Sequence, residues 1–134
     1  MKQNAIILTV DDDPGILAEL KEVLVAEGHT CLAASCTETA LAIARQAAPD
    51  LIICDINLDG ESGLDLCERI KAEPGTYDVP VMFLSGAPIP NVIQQAHAAG
   101  GVYYLRKPFD PTVLLDLVNR SLWMPHLAAA HLEV

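Results

Sequence analysis

Leu51-Ile52-Ile53-Cys54-Asp55-Ile56-Asn57 is the stretch that decides the fold. Four apolar residues run into a lone carboxylate, and a loop follows, Leu58-Asp59-Gly60-Glu61-Ser62-Gly63. A short apolar run closed by turn residues reads as a buried strand. This one delivers Asp55 to the edge of a sheet. A second run, Ala5-Ile6-Ile7-Leu8-Thr9-Val10, ends in Asp11-Asp12-Asp13. If the two strands lie side by side, three or four carboxylates crowd one pocket. Two carboxylates about 4 Å apart repel by roughly 4 kcal/mol at an effective dielectric near 20. A hard dication relieves that repulsion. Mg²⁺ suits best, because it takes a few carboxylates and keeps waters for a phosphate to displace.

Outward from these strands, strand and helix signals alternate. Residues 5–10 read as a strand. Asp13-Pro14 reads as an N-cap with proline at the first helical position. Ile16, Leu20, Val23 and Leu24 carry a helical stripe that Gly28 stops. Thr30–Ala34 is a short strand, and Thr37 caps a helix through Gln46. Strand 51–54 and a helix from Ser62 to Ala72 follow, and Pro74-Gly75 breaks the chain. Val79–Leu84 is the fourth strand. A helix from Pro90 to Ala99 ends in Gly100-Gly101, and Val102–Leu105 is the fifth strand. Asp110-Pro111 repeats the cap, and Val113, Leu114, Leu117 and Val118 give the last stripe. Trp123–Val134 shows no clear element. Short buried strands joined by helices imply a parallel sheet covered on both faces. Ligands on such sheets bind at the carboxyl ends of the strands, where the acids sit.

The chain has 134 residues, 51% hydrophobic and 19% charged, which suits one globular domain. A net charge of −10 opposes direct binding to nucleic acid. No apolar run reaches membrane-spanning length, and Met1-Lys2-Gln3-Asn4 lacks a signal-peptide core, so the expected location is cytoplasmic. Cys31, Cys36, Cys54 and Cys67 form no C-x-x-C pair, and His29, His97, His126 and His131 are scattered. Reduced thiols, partly in the core, are expected rather than zinc ligands.

Ser85 ends the fourth strand and Lys107 follows the fifth. Both are expected to point into the acidic pocket. A nucleophilic carboxylate, metal-binding acids, a hydroxyl donor and a cation together suit phosphoryl transfer. Val-Asp11-Asp12-Asp13-Pro14, Cys-Asp55-Ile-Asn57-Leu, Leu-Ser85-Gly and Tyr104-Leu-Arg-Lys107-Pro108-Phe resemble the receiver domain of two-component response regulators, across residues 4–122. The resemblance implies a flavodoxin-like (βα)5 three-layer sandwich of strand order 2-1-3-4-5. It implies a receiver over residues 1–122, with 123–134 as a tail or linker stub. Asp55 would accept phosphate from a phosphohistidine of a sensor kinase or phosphotransfer protein. Asp12 and Asp55 would ligate Mg²⁺ by side chains, Asn57 by its main-chain carbonyl, and Asp11 through a water. Ser85 and Lys107 would hold the phosphoryl group. Ser85 and Tyr104 would switch, and the Lys107-Pro108 bond would be cis. The domain would be a phosphoacceptor rather than an enzyme, with at most activity on its own phosphate. Three departures from the family pattern are Gly86, Asp59-Gly60 after the phosphosite, and Ala87-Pro88-Ile89-Pro90.

Each residue also has a plain structural reading. Asp11–Asp13 could cap the first helix, Ser85 could be a turn residue, Lys107 a surface cation and Tyr104 a strand aromatic. Asp59, Glu61, Asp65 and Glu68 read as a solvated face. A haloacid-dehalogenase-like phosphatase using Asp11 and Asp13 is the alternative function, although it leaves Asp55 without a role. A flavodoxin-like electron carrier needs a Ser/Thr/Gly-rich phosphate loop, and here that loop is acidic. Leu17 and Val25 on the first helix mark the expected docking side for the phosphodonor. Asn91, Gln94, Gln95 and His97, with Tyr104 and the fifth helix, mark the expected output face, for a homodimer or another partner. The output domain is not legible: the chain reads as a stand-alone receiver or the first part of a longer protein.

Overall fold

The computed structural model describes residues 4–86 and 91–133, with side chains up to Trp123. The elements run β1 (Ile6–Val10), α1 (Pro14–Ala26), β2 (Thr30–Ala34), α2 (Thr37–Ala47), β3 (Leu51–Asp55), β4 (Asn57–Leu58), β5 (Glu61–Ser62), α3 (Gly63–Lys71), β6 (Val81–Ser85), α4 (Val92–Ala98), β7 (Tyr103–Arg106) and α5 (Pro111–Glu133). Five strands form one parallel sheet in the order β2-β1-β3-β6-β7. The reversal of order beside β1 opens a crevice at its carboxyl end. This is the expected flavodoxin-like order. The two-residue hairpin β4–β5 is an addition to it.

The sheet separates two cores, because successive strand residues point to opposite faces. Ile7, Leu51, Ile53, Met82 and Leu84 meet Leu20 and Leu24 of α1 and Leu114, Val118 and Leu122 of α5. Leu8, Val10, Ile52, Cys54, Val81 and Phe83 meet Ala40, Leu41 and Ala44 of α2, Leu66, Cys67 and Ile70 of α3, and Ala96 of α4. All five residues of β3 are buried, which is why that strand reads as a continuous apolar run.

Local signals set most helix ends. The Asp13 carboxylate accepts from the Gly15 N–H at 2.8 Å. Ser62 Oγ accepts from the Leu64 and Asp65 N–H groups, and Asp110 Oδ1 accepts from Thr112. Several expectations shift. The fourth strand starts at Val81: the Val79 N–H turns back to the Thr76 carbonyl, and Pro80, lacking an N–H, joins the sheet only by accepting from Ile52. Thr37 is the first helical residue of α2 rather than its cap, which is Cys36. α4 begins at Val92 after Asn91, which has φ 58°. Val113 is exposed, off the buried stripe of Leu114 and Val118. α5 continues to Glu133, where the sequence showed no element. Ala87–Pro90 lies outside the described residues. All four cysteines are free, with Cys54 and Cys67 buried.

Candidate functional site

Parallel pairing of β1 and β3 puts Val10 beside Cys54. The next residues, Asp11 and Asp55, therefore emerge together at the sheet edge. Both are buried, at 0% and 6% exposure. The Asp11 N–H donates to the Ala34 carbonyl at 3.1 Å, and Asp11 Oδ1 accepts from the Asp13 N–H at 2.9 Å. Asp55 Oδ1 accepts from the Asn57 N–H at 3.1 Å. Carboxylate oxygens of Asp11, Asp12 and Asp55 lie within 4.8 Å of one another, with Asp12 exposed at the mouth. The all-oxygen, carboxylate-rich donor set fits a hard dication such as Mg²⁺.

The cis Lys107-Pro108 peptide follows β7, and the Lys107 N–H donates to the Ser85 carbonyl at 2.8 Å. Lys107 Nζ reaches Asp11 Oδ2 at 2.7 Å and Asp55 Oδ2 at 2.8 Å. The geometry thus brings Asp11, Asp55 and Lys107 into direct contact. Burial pushes the Asp11 carboxyl up, and its bonds to Lys107 and the Asp13 N–H only partly offset this. Burial pulls the Lys107 ammonium down, but its bonds to Asp11 and Asp55 outweigh that and hold it above its ordinary value. Two buried acids around one cation leave an excess of negative charge that a second cation would relieve.

Ser85 is buried at the carboxyl end of β6, in register with Arg106 of β7. A Cβ built at Gly86 would meet Lys107 Cβ at 3.7 Å and Cδ at 3.8 Å, which is ordinary contact. Tyr104 pairs in register with Phe83 and is half-buried against the core of the α2–α4 face. It borders a cavity of roughly 90 Å³ with Ile93, Ala96 and His97. On the expected output face Asn91, Gln94, Gln95 and His97 are exposed. Ile93, exposed at 69%, joins them and was missed because it reads as a core residue. On α1, Leu17 is half-buried and Val25 is 49% exposed.

Glu61 departs from its expected role. It is exposed, yet its carboxylate accepts from the Thr37 N–H at 3.0 Å and the Thr37 hydroxyl at 2.8 Å. The Thr37 N–H, and then its hydroxyl, hold the Glu61 carboxyl below its ordinary value. No local pattern signals a contact between residues 24 positions apart.

The family model for the response regulator receiver domain matches residues 7–119. Among curated proteins, the phosphate regulon transcriptional regulatory protein PhoB of Pseudomonas aeruginosa is 35% identical over 116 residues, 87% of this chain and 51% of that protein. The DNA-binding response regulator MtrA of Mycolicibacterium smegmatis is 33% identical over 116 residues, 87% of this chain and 50% of that protein. The chain therefore spans about half the length of these curated relatives. Among solved structures, a putative response regulator from Chloroflexus aurantiacus superposes with TM-score 0.84 at 33% identity, covering 89% of this chain and 98% of that one. The chemotaxis response regulator CheY4 of Vibrio cholerae gives 0.81 at 29% identity, covering 87% and 98%. These matches lend the phosphatase alternative no support, and Asp13, which it requires, is engaged as the cap of α1. Motifs, sheet order and matches agree: the chain belongs to the response regulator receiver domain family, the phosphoacceptor switch of two-component signalling.

Proposed function

We propose that Asp55 receives the phosphoryl group from a phosphohistidine of a sensor kinase or histidine phosphotransfer protein. The observation that carries this reading is the contact of Lys107 with both Asp55 and Asp11 in one buried acidic pocket. An Asp55 carboxylate oxygen attacks phosphorus in line with the P–N bond. The O–P bond forms as the P–N bond breaks, and the imidazole nitrogen leaves with the electron pair. The product is an acyl phosphate on Asp55. Asp12, Asp55 and the Asn57 main-chain carbonyl, with Asp11 through a water, would hold Mg²⁺, which would supply charge neutralisation. Lys107 exchanges its bond to Asp55 for one to a phosphoryl oxygen. Ser85 donates its hydroxyl to another.

The change is relayed by Ser85 and Tyr104. Drawing Ser85 toward the phosphate lets Tyr104 repack against the cavity beside α4, a two-state element biased by local charge. Activity is confined to the domain's own phosphate, its gain from small donors and its slow loss to water. Residues 1–122 form the receiver, and 123–134 lead out of it. The net charge of −10 opposes direct binding of this domain to DNA. Among the described residues no helix is long and apolar enough to cross a membrane, and we place the domain in the cytoplasm.

Incubation with a small phosphodonor and Mg²⁺, followed by intact mass, tests the reading. One added phosphate, lost in Asp55→Asn and in excess chelator, is expected. Equal labelling of Asp55→Asn overturns it.

A further inference from the structure

The loop after Asp55 closes in a way that its own residue types permit. Asp59 and Gly60 have φ of 26° and 84°, both positive, as in the two-residue turns that join tight hairpins. They link β4 to β5, pairing Asn57 with Ser62 and Leu58 with Glu61. Proline at position 59, with φ fixed at about −65°, would not allow this turn.

A two-pair hairpin has little stability of its own, so its anchors decide where it sits. At its base the Gly63 N–H donates to the Ile56 carbonyl at 2.7 Å. In its middle Leu58 is buried at 1% exposure. Near its tip the Glu61 carboxylate grips Thr37, the first residue of α2. Cys36, the N-cap of α2, makes no side-chain cap bond, and Glu61 reaches in from the hairpin to satisfy the Thr37 N–H, another of the free donors at the positive end of the helix.

We propose that Glu61 is a positioning residue for metal binding: its clamp on Thr37 fixes the β4–β5 hairpin, and with it the Asn57 main-chain carbonyl, opposite Asp11, Asp12 and Asp55. The proposal rests on the metal site assigned above. Mg²⁺ demands near-ideal octahedral geometry at about 2.0–2.1 Å, so a small drift of one carbonyl weakens it. Groups that orient metal ligands typically change affinity by about 10–100-fold when removed.

Direct Mg²⁺ titration of the full chain, followed by amide chemical shifts, tests this. Glu61→Ala is expected to weaken Mg²⁺ about tenfold, the low end for such groups. Glu61→Asp keeps the charge but shortens the reach, and is expected to weaken binding like Glu61→Ala. Thr37→Ser keeps both donors and is expected to bind like wild type. Thr37→Val adds no further loss in the Glu61→Ala background. Wild-type affinity in Glu61→Asp, with loss only in Glu61→Ala, makes the effect one of charge at a distance and overturns the positioning role. Wild-type affinity in Glu61→Ala, with a lowered Tm, makes the clamp structural only and overturns it too. Wild-type affinity in Asp55→Asn overturns the metal-site reading itself, and the proposal with it.

Discussion

Lys107 Nζ lies 2.8 Å from Asp55 Oδ2, so the proposed phosphoacceptor is already paired with the cation proposed to receive its phosphate. The same ammonium serves Asp11, which is fully buried. Removing one partner of a buried ion pair leaves the other charge uncompensated, at a cost of about 3–5 kcal/mol. Lys107→Ala should fall at the low end of that range, since the Lys107 side chain keeps 16% exposure. It should also bind Mg²⁺ more tightly than wild type, because the lysine no longer competes for the carboxylates. Thermal unfolding with and without Mg²⁺ checks both, and a metal-independent Tm deficit would contradict the competition. The phosphorylated variant should show reduced amide shifts at α4 and β7, and Ser85→Ala should behave in the same direction.

Two glycines near the site should respond oppositely to alanine. A Cβ at Gly63 would lie 2.0 Å from the Asp55 carbonyl oxygen and 3.0 Å from Cys54 Sγ. Gly63→Ala must therefore move the backbone of the phosphosite, at a cost of roughly 1–3 kcal/mol or more. Gly86 has room, so Gly86→Ala should stabilise by about 0.4–1 kcal/mol through the unfolded chain. Urea unfolding at equal m-value reads both. Equal destabilisation by the two would refute the packing argument.

Stability should fall on acidification through His29. Its Nδ1 accepts from the Ala5 N–H at 3.2 Å, which only the neutral ring can do. Burial pulls its pKa down, with Glu27 and Asp50 opposing. The stabilisation is complete above the unfolded value of about 6.5 and is lost as pH falls toward the lower folded value. In that window the unfolded chain binds the extra proton, with a slope of at most about 1.4 kcal/mol per pH unit. His29→Gln retains an acceptor and should flatten the slope of Tm between pH 7.5 and 5.5. An unchanged slope would assign the effect to other groups.

Phosphodonor docking should depend on α1. Leu17 is half-buried beside the pocket end of that helix and Val25 is exposed on it. Leu17→Asp should slow transfer from a phosphohistidine protein at least several-fold while small-donor labelling stays at the wild-type rate. Equal loss of both activities would indicate damage to the fold instead.

Occupancy of Asp55 should be felt at the opposite edge. Beryllofluoride with Mg²⁺, which mimics an acyl phosphate, should alter hydrogen exchange around Ile93, His97 and Tyr104. Ile93→Asp should abolish any partner binding or self-association on this face without changing phosphorylation. If exchange there is unaltered while Asp55 is occupied, the relay through Tyr104 fails.

The order of elements was legible in the chain because its signals are local. The apolar runs ending at Val10 and Cys54 needed only a few neighbours to read, as did the caps Asp13, Ser62 and Asp110. Parallel pairing of buried strands then forced Asp11 and Asp55 to one edge. Other features came from contacts between residues far apart in sequence. Lys107 reaches Asp11 across 96 positions, and no spacing rule says whether its stem is long enough. Glu61 looked like one more solvated acid until packing set it against the start of α2. Val113 fell in an apolar run but faces solvent, because only one face of α5 meets the sheet. His29, isolated in the sequence, became a buried acceptor because the turn after α1 folds against Ala5, the residue just before β1. Hydrophobic period and capping act within a turn or two and survive in the sequence; side-chain partnerships between elements depend on how the sheet and helices pack, and only the folded chain fixes them.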